Sequence, residues 1–91
     1  MTTYMTFLKY SPEGIAGISP ERTRKLDVIC KEMGGKLLGG WGLLGEWDAV
    51  VLYEVPDGNV AVKTAMHIGK LTHAQTYTMT AIPLEQFDKL P

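Results

Sequence analysis

A single cysteine, Cys30, leaves the 91-residue chain without any possibility of an internal disulfide. That suits a reducing compartment, and a cytoplasmic location is the expectation. Cys30 itself sits in an apolar helical pattern, where a small buried hydrophobe is the ordinary role. No apolar run approaches the roughly 20 residues that a membrane helix needs. The opening Met1-Thr2-Thr3-Tyr4 has neither the basic region nor the long apolar stretch of a signal peptide, so no membrane partner is expected. An excess of charge is also missing. Nine basic residues face ten acidic ones, for a net charge of -1. Arg22, Arg24 and Lys25 cluster, but Glu21 and Asp27 flank them, which argues against a nucleic-acid partner.

Catalytic and cofactor motifs are equally sparse. The glycines around Trp41 are not followed by Gly-Lys-Ser/Thr, so they form no phosphate loop. The only histidines, His67 and His73, match no zinc spacing and have no second cysteine to support them. A haem reading would require His67 to turn into a cavity. No metal and no cofactor are expected, and no serine-histidine-acid arrangement is legible.

What the chain does contain is a hydrophobic fraction of 45%, enough for a packed core and too much for disorder. One domain spanning residues 1–91 is expected, and at this size oligomerisation is a common way to gain buried area. Residues 2–10 alternate and are rich in Thr, Tyr and Phe, the pattern of a strand. Residues 11–17 carry Pro12, Gly14 and Gly17 and read as a loop. Ser19-Pro20-Glu21 opens a helix with a cap, a proline at the first position and an acid at the positive end of the dipole. Leu26, Ile29, Cys30 and Met33 give it an apolar stripe, and Gly34-Gly35 ends it. Residues 36–44 form a second, glycine-rich strand. A third runs on from Gly45 through Trp47-Asp48-Ala49-Val50-Val51-Leu52-Tyr53-Glu54-Val55, the most strand-like run in the chain. Asp57 caps a second helix with Val60, Ala61, Ala65 and Ile68 inward and Gly69 as its stop. Residues 73–82 alternate again as a fourth strand. Residues 83–90 make a short terminal helix with Leu84, Phe87 and Leu90 as its apolar contacts.

The order β-α-β-β-α-β predicts an α+β, ferredoxin-like sandwich with sheet order 4-1-3-2 and two helices on one face. The apolar set Met5, Phe7, Ala49, Val51, Tyr53, Tyr77, Met79 and Ala81 is assigned to the helices. The opposite set includes Tyr4, Thr6, Leu8, Asp48, Val50, Leu52, Thr76 and Thr78. It is too apolar to be left in water, so a second copy packed sheet to sheet is expected, with a half-polar cavity between the two.

Three segments resemble the small GYD-domain proteins. They are Thr3-Tyr4-Met5-Thr6-Phe7-Leu8-Lys9-Tyr10 with Gly14-Ile15, Lys31-Glu32-Met33-Gly34-Gly35-Lys36-Leu37, and Gly45-Glu46-Trp47-Asp48-Ala49-Val50-Val51. The Gly-Tyr-Asp-like motif stands here as Gly45, Trp47 and Asp48, with a tryptophan where the family carries a tyrosine. The resemblance implies a dimeric α/β barrel. Its wider relatives include cofactor-free monooxygenases, haem-degrading enzymes, lactone isomerases and amino-acid-sensing domains, among which fold alone does not choose.

The candidate site residues follow from the expected cavity. Asp48 is either a general base in a half-apolar setting or a structural carboxylate accepting amide hydrogen bonds near the glycine-rich bend. His73 is a possible partner acid or base at the pocket mouth. Tyr4, Thr6, Thr76 and Thr78 would orient a small-molecule ligand, with Trp41 and Trp47 as aromatic platforms. Two functions compete: a homodimeric or higher-order binding or regulatory module, and a cofactor-independent monooxygenase or isomerase using Asp48 and His73.

Overall fold

The computed structural model describes residues 1–90. The elements run β1 (Thr2–Tyr10), α1 (Pro12–Ala16), α2 (Pro20–Glu32), β2 (Lys36–Gly42), β3 (Ala49–Val55), α3 (Gly58–Thr72), β4 (Ala74–Ala81) and α4 (Leu84–Phe87). The strands form one antiparallel sheet ordered β2-β3-β1-β4, the expected order read from its other edge. The helices α2 and α3 pack against each other and against the same side of the sheet.

Local chemistry accounts for the helix starts. The Ser19 hydroxyl accepts the Arg22 amide at 3.1 Å, and an Asp57 carboxylate oxygen accepts the Val60 amide at 3.0 Å. Several boundaries differ from expectation: β2 ends at Gly42, β3 begins only at Ala49, and α4 is limited to Leu84–Phe87. Ser11 also caps, accepting the Gly14 amide at 3.1 Å, and so nucleates α1 within what reads as a loop. The second helix does not stop at Gly69. A Cβ there would lie 3.2 Å from the Thr76 methyl and 3.3 Å from the Ala74 carbonyl oxygen. Glycine at 69 therefore serves close packing on β4, and the helix continues to His73, which closes it in the left-handed conformation.

The core lies between the helices and the sheet, built on Leu8, Leu26, Cys30, Val51, Tyr53, Val55, Ala61 and Ile68. Burial lifts the Cys30 thiol to about 11, with Asp27 adding to the effect, so it stays protonated as a packing group. Thr64 and Thr72, both buried on α3, satisfy their hydroxyls on the carbonyls of Val60 and Ile68, each at 2.7 Å.

The register corrects the face assignment. Tyr4 stands opposite Tyr53, Thr6 opposite both Val51 and Thr78, and Leu8 opposite both Ala49 and Thr76. Directly opposed residues share a face. Tyr4, Thr6, Leu8, Thr76 and Thr78 therefore lie with Val51 and Tyr53 on the helix side. Met5, Phe7, Tyr77, Met79 and Ala81 lie on the open side with Val50 and Leu52. The assignment holds for β3 and is inverted for β1 and β4. Alternation separates two faces within a strand, but only register says which faces coincide. Two of the hydroxyls that made the set look half-polar, those of Thr6 and Thr78, are spent on each other and on Tyr53. Thr6 Oγ1 lies 2.8 Å from Tyr53 Oη and 2.8 Å from Thr78 Oγ1. Burial pushes the Tyr53 phenol up from its ordinary range, with the Thr6 hydrogen bond opposing the shift.

Candidate functional site: an open aromatic sheet face

With the helices on one side, the other side of the sheet is bare. A row of directly opposed residues crosses all four strands, Trp41–Val50–Phe7–Tyr77, and a second row follows as Gly39–Leu52–Met5–Met79. Trp41 is 56% exposed, Tyr77 54% and Met79 39%, while Val50, flanked by Trp41 and Phe7, is only 7% exposed. The Trp41 ring lies over Gly39, where a Cβ would come within 2.9 Å of it. Trp47 joins the same face. Its indole stacks on Tyr77, with centroids 5.8 Å apart and planes 14° from parallel, and lies 6.0 Å from Phe7. Trp47 lies on the open side although Ala49, two residues on, faces the helices, because the chain leaves the regular ladder just before β3. The Asp48 amide donates to the Leu8 carbonyl at 2.9 Å, although the paired residue is Ala49. The charges at the rim of this face are Lys36 and Glu54, 4.0 Å apart, and Lys9.

Asp48 is held by backbone. Its Oδ2 accepts the Tyr10 amide at 2.8 Å, and its carbonyl accepts the Leu43 amide at 2.9 Å. The carboxylate thus takes the place of the next ladder acceptor, joining the ends of β1, β2 and β3. Replacing it with alanine strands the Tyr10 amide in a half-buried position. Asp48→Ala is expected to lower stability by ~1–3 kcal/mol in urea unfolding, the cost of a lost charge-assisted bond and an unmet donor.

Tyr4, Thr6, Thr76 and Thr78 line no space between sheets, being on the helix side. His73 lies across β1 from Asp48, its backbone carbonyl accepting the Ser11 amide at 3.0 Å and hydroxyl at 2.8 Å. Its ring is 3.6 Å from the Glu13 carboxylate, in solvent. His67 is exposed on α3. Among the described residues no cluster of His, Cys, Asp and Glu has the geometry to hold a metal ion.

The helix side carries a separate groove of about 310 Å³ between α2 and the β2–β3 end of the sheet, lined by Leu8, Tyr10, Ile18, Leu26, Leu37 and Asp48 among others. Gly42 borders it. A Cβ at Gly42 would meet nothing within 4 Å, so packing does not demand a glycine there.

A ferredoxin-like α+β sandwich with an uncovered aromatic sheet face is thus the class of protein that the structure defines. Its sequence matches the GYD domain family over residues 4–90, and the chain belongs to that family. No curated protein matches the sequence. A solved structure, the Leucine response regulatory protein (LrpA) of Mycobacterium tuberculosis, is similar in fold, with a TM-score of 0.60 and 10% identity. The match covers 90% of this chain and 51% of that one, so the chain spans about half the length of that regulator. At this identity the likeness is one of fold alone. No helix among the described residues is long and apolar enough to cross a membrane.

Proposed function

We propose that the protein is a self-assembling binding module in which two copies cover each other's open sheet faces, closing a dimeric α/β barrel. The observation that carries this reading is the unbroken row Trp41–Val50–Phe7–Tyr77 with Trp47 laid across it. Soluble monomers rarely leave so continuous an apolar surface in water. A flat face spanning the whole sheet and crossed by aromatics is suited to an isologous contact, in which the same patch serves both partners.

On this reading a small, partly apolar ligand is held on the helix side, in the groove beside Asp48, rather than between the sheets. A cytoplasmic setting accords with the one buried thiol. The enzymatic alternative needed Asp48 as a free base with His73 assisting. The geometry favours the binding module, because Asp48 is engaged by the Tyr10 amide and His73 caps α3. Sedimentation equilibrium at micromolar concentration tests the reading. The expected mass is twice the chain's 10.0 kDa, and a monomer mass overturns it.

A further inference from the structure

A second apolar surface lies away from the open sheet face. Between α3 and the edge strand β4 runs a groove of about 360 Å³, lined by Tyr4, Ala61, Val62, Ala65, Met66 and Thr80 among others. Val62 and Met66, one turn apart on α3, are 63% and 60% exposed on its rim. The segment Gly58–Thr72 contains no acidic residue, and Lys63, His67 and Lys70 are all exposed along it.

The terminal segment has the complementary character. Leu84 and Phe87 stand three residues apart on α4, and Leu90 follows just beyond its end. They are 72%, 56% and 67% exposed, and α4 buries no residue of its own. Glu85 lies between Leu84 and Phe87, and Asp88 directly after them, with Lys89 next in the chain. Among the described residues, Lys63, Lys70, Glu85 and Asp88 form no ion pair. One chain therefore carries an unfilled apolar groove along a helix whose charged side chains are all basic, and an unburied apolar turn of helix that carries Glu85 and is followed by Asp88. Its own α4 leaves its own groove unfilled.

We infer that α4 of one copy docks in the α3–β4 groove of a second copy, Leu84 and Phe87 against Val62 and Met66, with Glu85 and Asp88 facing Lys63 and Lys70. The contact is a helix laid in a groove: apolar anchors supply the affinity, and the flanking charges set orientation and partner choice.

Zero-length carbodiimide coupling of lysine to carboxylate tests it on the full chain. Ordinary and uniformly ¹⁵N-labelled protein are mixed, unfolded and refolded together, then coupled and digested. Links from Lys63 or Lys70 to Glu85 or Asp88 are expected, including pairs that join a light peptide to a heavy one. Purely unmixed pairs would mean that α4 folds into its own groove, and that result overturns the proposal, as does the absence of such links. Phe87→Glu is expected to abolish the mixed links while leaving Trp41 and Trp47 as protected as in the parent protein. Failure of this contact is therefore distinguishable from failure of the sheet-face dimer.

Discussion

Glutamate at both Tyr77 and Met79 is expected to convert the proposed sheet-to-sheet dimer into a folded monomer of 10.0 kDa. Both side chains stand on the open side of β4, and neither is buried in the single chain. For the monomer the cost is small. It loses the stacking of Tyr77 on Trp47, worth ~0.5–1.5 kcal/mol, and little else. For the dimer the cost is large. Two-fold symmetry places every substitution in the interface twice, and each unpaired carboxylate buried there is opposed by a desolvation penalty of several kcal/mol. A rise of at least ~10³-fold in the dissociation constant follows. Light scattering reads the mass, and circular dichroism confirms that the fold persists. A double variant that keeps the parent mass would place the interface elsewhere.

Gly35→Ala is expected to cost more stability than any other single-methyl change in the chain. A Cβ at Gly35 would lie 1.7 Å from the Glu54 carbonyl oxygen, 2.8 Å from its carbonyl carbon and 3.1 Å from Val55 Cα. All three are backbone atoms of β3, at the point where β2 begins to pair with it through Lys36 and Glu54. No rotamer relieves the overlap. Either β2 parts from β3 or the link from α2 is displaced. The expected loss exceeds the ~1–3 kcal/mol usual for over-packing and reaches about 4 kcal/mol, a large share of the ~5–15 kcal/mol that holds a domain together. Gly42→Ala provides the contrast. With nothing near its Cβ and no positive φ, it should be neutral or stabilising by up to about 1 kcal/mol. Urea unfolding measures both, and equal midpoints for the two variants would contradict this account of the α2–β2 junction.

The sheet order and both long helices are legible in the sequence because their signals are local: Ser19 and Asp57 as caps, a three- and four-residue apolar stripe, period-two strands. Side assignment is not local. Tyr4 and Thr6 look half-polar one at a time and prove to be core only when register sets them opposite Tyr53 and Val51, with Thr6 within hydrogen-bonding distance of Tyr53 and Thr78. The apolar row on the open face is hidden for the same reason, since its members come from four strands. The side that Trp47 takes does not follow from alternation with Ala49, because the ladder breaks at Asp48 and that break depends on a side chain replacing a backbone acceptor. The glycine-rich bend did carry a signal for Asp48, whose carboxylate accepts the Tyr10 amide there. Nothing in the sequence around His73 marks a left-handed helix cap, a conformation usually left to glycine or asparagine.

The two tryptophans of the chain, Trp41 and Trp47, both lie on the open sheet face, Trp41 also bordering the helix-side groove, so their fluorescence reports on that surface. Acrylamide quenching across a dilution series is therefore the most direct test that a second copy covers it. The account predicts shielded tryptophans at high concentration, becoming quenchable and red-shifted together as the protein dissociates on dilution. Tryptophans that are equally and fully quenchable at every concentration would contradict it.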